Sequence, residues 1–356
     1  MSRFFSDKYA SLVPYVPGEQ PKARQYIKLN TNESPFPPSP LAVKMAAKAA
    51  EGFQLYSDPE CRELVQAACE FYGVEKDELL FTNGSDEILN FAFMAFCDEK
   101  HPAVFPDITY GFYPVFADLN GVPYETIPLG EDFSLNPEDY MGIHKTIFIA
   151  NPNAPTGLTI SLADIGRIAQ SNPDNVVVID EAYVDFGGES AVPLIREYDN
   201  LLITQTFSKS RSMAGARLGF GIGCKALIAD LNTIKYSTNP YNVNSATMAA
   251  GVGALKDTDY FRRNCETIAE TRAWTTEQLR RLGFRVTDSK ANFVFAAAPD
   301  YSGLALYQDL KANGILVRHF ETPRLKDYNR ITIGSREQME ALIAAITRLL
   351  EAKPRA

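Results

Sequence analysis

Between residues 79 and 223 the chain alternates short apolar runs with helical patterns, which narrows its fold more than any other feature. "LLF" (79–81) leads into the apolar helix candidate "DEILNFAFMAF" (86–96). "AVF" (103–105), "TIFIA" (146–150), "VVVID" (176–180), "LLITQT" (201–206) and "LGFGIG" (218–223) follow as strand candidates, with a helix predicted over 161–170. Several of these runs lack polar alternation, as expected of strands covered by helices on both faces. The repetition predicts a mostly parallel α/β sheet. After about residue 255 the texture changes. A long charged helix pattern at 259–283 precedes "FRVT", "NFVFAAA", "GILVRHF" and "RITIG", with helices predicted at 302–313 and 335–351. That predicts a smaller α+β domain, and 356 residues suit two domains that share an interface.

Strands this apolar need a large core, and 46% hydrophobic against 22% charged residues supplies one. The net charge of -9 argues against a nucleic-acid footprint, while leaving room for a local basic pocket. Five cysteines, at 61, 69, 97, 224 and 265, form no CxxC pair and have no histidine partner at metal spacing. Their scatter suits reduced thiols in a cytoplasm, and no metal is expected. The N-terminal stretch lacks the apolar core of a signal peptide, and no apolar run is long enough to span a membrane.

The chemistry concentrates at predicted strand ends. In "TFSKSRSMAGARLGF" (206–220), Lys209 follows a strand and Arg217 follows Lys209 among glycines. Most lysines past a strand end are surface residues; the sharper reading is an amine that captures an aldehyde cofactor. Arg217 carries a fork suited to phosphate, and Ser208 adds a hydroxyl beside the lysine. In "FTNGSDEIL" (81–89) a strand end gives Gly84-Ser85-Asp86 and then a helix, where backbone N–H groups suit phosphate. An ordinary Ser/Asp helix cap is the plainer alternative. Asp180 ends a buried strand, where open α/β sheets bind ligands, and a carboxylate there needs a partner. A pyridinium nitrogen would be one, keeping the ring an electron sink. Tyr183 could reach that ring's phenolate oxygen, or be a half-buried structural tyrosine, and Tyr110 could stack on its face, although a lone aromatic is more often core. "ANPNAPTG" (150–157) is a turn after a strand, placed to lie under the cofactor and a candidate cis-proline site.

Together these residues resemble fold type I pyridoxal-phosphate aminotransferases, most closely the histidinol-phosphate aminotransferase family. The resemblance runs nearly end to end, through "LVPYVPG" (12–18), "LNTNESPFPPSP" (29–40), "YSDPE" (56–60), "TNGSDEIL" (82–89), "NPNAPTG" (151–157), "DEAYVDF" (180–186), "TFSKSRSMAGARLGFG" (206–221), "NPYNVN" (239–244), "ANFVF" (291–295) and "NRITIG" (329–334). It implies a large domain, residues 33–256, with a mostly parallel seven-stranded sheet between helices. Residues 1–32 and 257–356 would form the small domain. It implies pyridoxal 5'-phosphate held covalently by Lys209, with Asp180 on the pyridine nitrogen, Tyr183 on the phenolic oxygen and Tyr110 against the ring. Gly84, Ser85, Asp86, Ser208 and Arg217 would surround the phosphate, and Tyr56 would reach the phosphate of a neighbouring subunit in a homodimer. Arg330, helped by Arg318, would anchor the substrate, with Tyr15 closing over it.

There are departures. Where the family places an asparagine before Pro-Thr-Gly this chain has Ala154, and Asn153 is the adjacent candidate. Arg211 stands where small apolar residues are common; it adds charge near the site or points to solvent. Of the three histidines only His319 is expected near the substrate. The implied reaction is transamination between histidinol phosphate and 2-oxoglutarate. The alternatives are an aromatic or aspartate aminotransferase, a threonine-phosphate decarboxylase, or a cofactor-binding protein without catalysis. The last would suit a regulator, for which no DNA-binding segment is seen before residue 12.

Overall fold

The computed structural model describes residues 2–20 and 25–352. A two-residue strand, β1 (Ile27–Lys28), precedes the central sheet, which holds β2 (Leu79–Thr82), β3 (Ala103–Pro106), β4 (Tyr124–Ile127), β5 (Thr146–Ala150), β6 (Val177–Asp180), β7 (Leu201–Thr206) and β8 (Gly219–Gly223). Their spatial order is β2-β8-β7-β6-β5-β3-β4. From β7 to β4 all neighbours pair in parallel, whereas β8 runs antiparallel to both β7 and β2. The sheet is thus mostly parallel, as the alternation of runs predicts, with one reversed strand that the pattern does not reveal.

Side chains alternate across a strand, and here both faces are dry. Ile147, Ile149, Val177, Ile179, Leu201 and Ile203 enter one core. Phe148, Val178 and Leu202, between them in sequence, enter the other. This is why the runs show no polar alternation. Strand β4 escapes detection for the opposite reason: it lies at the edge, and three of its four residues are exposed.

The chain then forms a 24-residue helix (Thr258–Arg281) and the strands β9 (Arg285–Val286), β10 (Phe293–Ala297), β11 (Ile315–Leu316), β12 (Arg318–His319) and β13 (Tyr328–Thr332). An antiparallel sheet takes the order β12-β13-β10-β9, while β11 pairs in parallel with β1. A third core, built on Phe293, Ile331, Leu342 and Ile346, lies beneath it. The N-terminal segment thereby runs alongside the C-terminal strands, with Thr332 N–H donating to the Leu29 carbonyl at 3.0 Å.

Reversal of β8 has a direct consequence for function. Strands β3, β5, β6 and β7 end at one edge of the sheet, and β8 begins there, so Arg217, two residues before β8, arrives beside the loop after β7. Strand β2 also ends there, and Gly84 leads it into a 12-residue helix (Ser85–Phe96). The approach is so close that a Cβ on Gly219 would lie 2.2 Å from the Ser85 nitrogen. Backbone atoms cannot yield as a side-chain tip can. Gly219→Ala should therefore cost about 1–3 kcal/mol of stability in chemical denaturation, and an unchanged midpoint would refute this packing.

Candidate active site

A cavity of about 170 Å³ opens at this edge, lined by Ser85, Asp86, Tyr110, Ala154, Asp180, Tyr183, Ser208, Lys209 and Arg217, with Thr31 and Glu33 from the N-terminal segment. Residues up to 186 positions apart in sequence meet there because parallel strands end on one side.

Asp180 is the last residue of β6 and is 5% exposed. Tyr113 Oη donates to its Oδ2 at 3.1 Å, and the Ala182 N–H and Thr204 Oγ1 donate to its Oδ1 at 3.2 and 3.3 Å. No cation lies within ion-pair distance among the described residues. Burial therefore dominates, and despite the three donors it pushes the carboxyl pKa up to about 6. Sequence reasoning missed Tyr113 and Thr204. Thr204 had a weak signal, a hydroxyl within "LLITQT" in direct register with Asp180; Tyr113 had none.

Lys209 follows β7 on a tight loop. Its Nζ lies 3.4 Å from the Thr31 carbonyl and 5.8 Å from the centre of the Tyr183 ring, without a carboxylate in ion-pair contact. Tyr183 stands edge-on against Phe293 at 5.1 Å, and its hydroxyl accepts from Asn32 Nδ2 at 2.9 Å.

At the other end of the cavity Gly84 adopts φ of +83°, and the helix it opens has no side-chain cap. The Ser85 and Asp86 N–H groups are thus open to an anion rather than closed by a side-chain cap, while the Glu87 N–H donates to the Gly84 carbonyl at 3.3 Å. Arg217 packs over this turn: a Cβ on Gly84 would stand 2.5 Å from its Nη2. The guanidinium is aimed by Asp86, whose Oδ2 accepts from Nη2 at 3.0 Å, and reaches Ser208 Oγ at 3.4 Å. Asp86 Oδ1 accepts from Tyr110 Oη at 2.7 Å. Burial, with the Asp86 charge beside it, pushes the Tyr110 phenol pKa well above its ordinary value, so it stays a donor.

A second chamber of about 490 Å³ adjoins the first and shares Tyr110 and Ala154 with it. Tyr15, stacked on Phe112 at 4.2 Å, lines it together with Arg318 and Arg330. Arg330 donates to the Asn30 carbonyl at 3.1 Å, its Nε has no protein partner, and burial pushes its pKa down. Arg324 closes the wall by donating to Asp107 and to the carbonyls of Leu129 and Gly130.

Other sequence candidates lie elsewhere. The Asn153 amide is spent on Thr109, Thr156 and the Ile108 carbonyl, and it lines a small neighbouring cavity instead. His319 stacks on Tyr307 at 6.0 Å, in a depression with Glu19 and Asn30 that adjoins the outer chamber and shares Arg318, Phe320 and Thr322 with it. Tyr56 is exposed and stacks on Tyr241 at 4.7 Å, outside both chambers. The turn at 151–157 contains cis peptides before Pro152 and Pro155. Arg211 requires a correction, because it neither lines the site nor meets solvent. It is 5% exposed, its guanidinium 4.1 Å from the Phe261 ring centre and 4.6 Å from that of Phe71, and it donates to the Ala254 carbonyl. A planar, weakly hydrated cation suits such an aromatic cage.

Comparison with known proteins agrees with this geometry. Residues 24–346 match the family Aminotransferase class I and II. The chain is 45% identical over 351 residues to a histidinol-phosphate aminotransferase of Clostridium beijerinckii, covering 98% of each. It is 46% identical over 353 residues to that of Brachyspira hyodysenteriae, covering 99% of this chain and 100% of the relative. In fold it is similar to the crystal structure of histidinol-phosphate aminotransferase from Sinorhizobium meliloti in complex with pyridoxal-5'-phosphate, with a TM-score of 0.89 at 23% identity over 99% of each chain.

The buried Asp180 carboxylate yields a test on the ligand-free protein. A carboxyl whose folded-state pKa of about 6 exceeds its ordinary 3.8 favours the protonated form, so ionised Asp180 burdens the fold above about pH 6 and ceases to do so toward pH 4. Asp180→Asn should be more stable than the parent at pH 7, by about 1–3 kcal/mol, and should lose that advantage as the pH falls. Denaturant midpoints across this range that show the opposite trend would contradict the assignment.

Proposed function

Because the chain belongs to the class I and II aminotransferases, we propose that it catalyses transamination between histidinol phosphate and 2-oxoglutarate, with pyridoxal 5'-phosphate as cofactor. One observation carries the choice of substrate. Arg318 and Arg330 are direct cross-strand partners on β12 and β13, and both line the outer chamber. Like charges placed opposite each other destabilise a sheet unless an anion bridges them. Arg330 is moreover buried with an unpartnered Nε, so a doubly charged phosphate suits the pair better than a single carboxylate.

The inner cavity fits the proposed cofactor on three counts. Asp180 is a buried carboxylate lacking a cation, Gly84 and the open helix turn leave an anion cradle under Arg217, and the Lys209 amine has only a long hydrogen bond to the Thr31 carbonyl, at 3.4 Å, and no ion pair among the described residues. Pyridoxal phosphate bound there supplies an aldehyde for amines and a ring that accepts the electron pair left when a neighbouring C–H bond breaks. Asp180 would meet the ring nitrogen and keep it protonated. Tyr183 would donate to the ring oxygen, and Tyr110 would flank the ring. Ser85, Ser208, Arg217 and the Gly84 turn would hold the phosphate, with Asp86 aiming Arg217 and Tyr110. Lys209 would carry the cofactor covalently and, once displaced by the incoming amine, take the proton from the substrate carbon that bears nitrogen. Arg330 and Arg318 would hold the substrate phosphate, and Tyr15 would close over it. The Asn153 amide, already engaged, would support the turn rather than touch the ring.

We further propose a homodimer in which the exposed Tyr56 reaches the partner's phosphate site. The division into residues 33–256 and 1–32 with 257–356 is supported by a core under β10 and β13 built mainly from Leu29 and residues 265–346, into which Ala154, Tyr183 and Phe186 reach from the larger part; residues 1, 21–24 and 353–356 lie outside the described residues. Five unpaired cysteines support a reducing, cytoplasmic setting. Among the described residues no helix is long and apolar enough to cross a membrane.

Steady-state kinetics test the substrate assignment. Arg330→Ala should lower kcat/KM for histidinol phosphate about 30- to 1,000-fold, or about 2–4 kcal/mol, mainly through KM. Lys209→Ala should have no turnover at all. An unaltered KM in the first variant would remove the phosphate anchor, and residual full activity in the second would remove the lysine mechanism.

A further inference from the structure

In the inner cavity the hydrogen-bonding role of Tyr183 is defined by Asn32. Asn32 is 1% exposed and holds φ of +56°, a left-handed conformation that asparagine tolerates better than most residues. Its backbone N–H donates to Thr332 Oγ1 at 2.9 Å, and its carbonyl accepts from Asn292 Nδ2 at 2.9 Å. Its side chain reaches Thr332 Oγ1 through Oδ1 at 3.1 Å and Tyr183 Oη through Nδ2 at 2.9 Å.

These contacts fix which way the amide faces. Thr332 Oγ1 already accepts from the Asn32 backbone, so its single proton goes to Oδ1. Reversing the amide would leave that hydroxyl proton, 2% exposed, without an acceptor. Nδ2 therefore faces Tyr183, and the Tyr183 oxygen accepts. A phenol that accepts from one side keeps its own proton for the other, and the other side is the cavity.

We propose that Asn32 is a positioning residue that makes Tyr183 an obligate hydrogen-bond donor into the cavity. The inference rests on the reading above that the cavity takes pyridoxal phosphate on Lys209. A donor aimed at the ring oxygen stabilises negative charge there and loosens the hold on the proton of the adjacent lysine linkage. Asn32 thus tunes the site from outside it, through a residue contributed by the N-terminal segment and clamped by β13. The charged and titratable groups around Tyr183 and the lysine whose linkage is titrated are Lys209, Glu33, Asp180, Tyr110 and Arg330. None is replaced in the variants below.

The test is a spectrophotometric pH titration of the cofactor's visible band in holoenzyme, for wild type, Asn32→Ala, Tyr183→Phe and the double variant. Asn32→Ala should raise the titration midpoint by about one pH unit, the scale of one lost hydrogen bond. Tyr183→Phe should raise it at least as far, and the double variant should match Tyr183→Phe alone. Thr332→Val, which removes only the hydroxyl that fixes the amide, should shift the midpoint in the same direction and serves if Asn32→Ala does not fold. An unmoved midpoint in the folded variants, or shifts that add in the double variant, would overturn the proposal while leaving the cofactor reading intact. Failure of wild type to develop a visible band would overturn both.

Discussion

A carboxylate taken out of water at the end of a central strand must be protonated or find a cation, and Asp180 is such a group. Three neutral donors hold its oxygens, yet burial still raises its pKa to about 6. Much of the architecture can be understood as what it takes to keep that carboxylate in place and reachable. Tyr113 comes from the helix after β3, Thr204 from the neighbouring strand in register, and the dry cores on both sheet faces exclude water. The adjacent Glu181 is equally buried, its pKa pushed up to about 7, but Ser190, Gln205 and the Ala191 N–H hold it away from the cavity. Asp180 differs in lining the cavity, where we propose a ring cation as its partner.

The second constraint is the management of positive charge. Lys209, Arg217, Arg318 and Arg330 all face the two chambers, in a chain that is acidic as a whole. Arg217 is steadied by Asp86 and Arg324 by Asp107, whereas Lys209, Arg318 and Arg330 make no ion pair among the described residues. The paired cations are set in position, and the unpaired ones are those proposed to meet substrate and cofactor. Segment 29–33 joins the two groups. It gives its Thr31 carbonyl to Lys209, its Asn30 carbonyl to Arg330 and the Asn32 amide to Tyr183.

Much of this was legible in the sequence because it depends on local chemistry at strand ends. Apolar runs without alternation announced a covered sheet, and Lys209, Asp180, Arg217 and the Gly84 turn stood where such runs stop. What escaped depends on distant partners. Reversal of β8 leaves no mark, since "GFGIG" has the same pattern in either direction. The cage around Arg211 draws Phe71, Phe207 and Phe261 from three separate stretches of the chain. Asn32 reads as one asparagine in a polar stretch, and its significance appears only when Tyr183, 151 residues away, and Thr332, 300 residues away, come beside it.

The most direct test of the account is a single half-reaction. Purified protein loaded with pyridoxal phosphate is mixed with histidinol phosphate, without any oxo acid, and its absorbance spectrum is followed. The account requires the visible band to bleach, with about one equivalent of keto product per subunit, as a ping-pong amino transfer demands. A band that ignores histidinol phosphate and bleaches with phenylalanine, tyrosine or aspartate would contradict the substrate assignment that the paired arginines support.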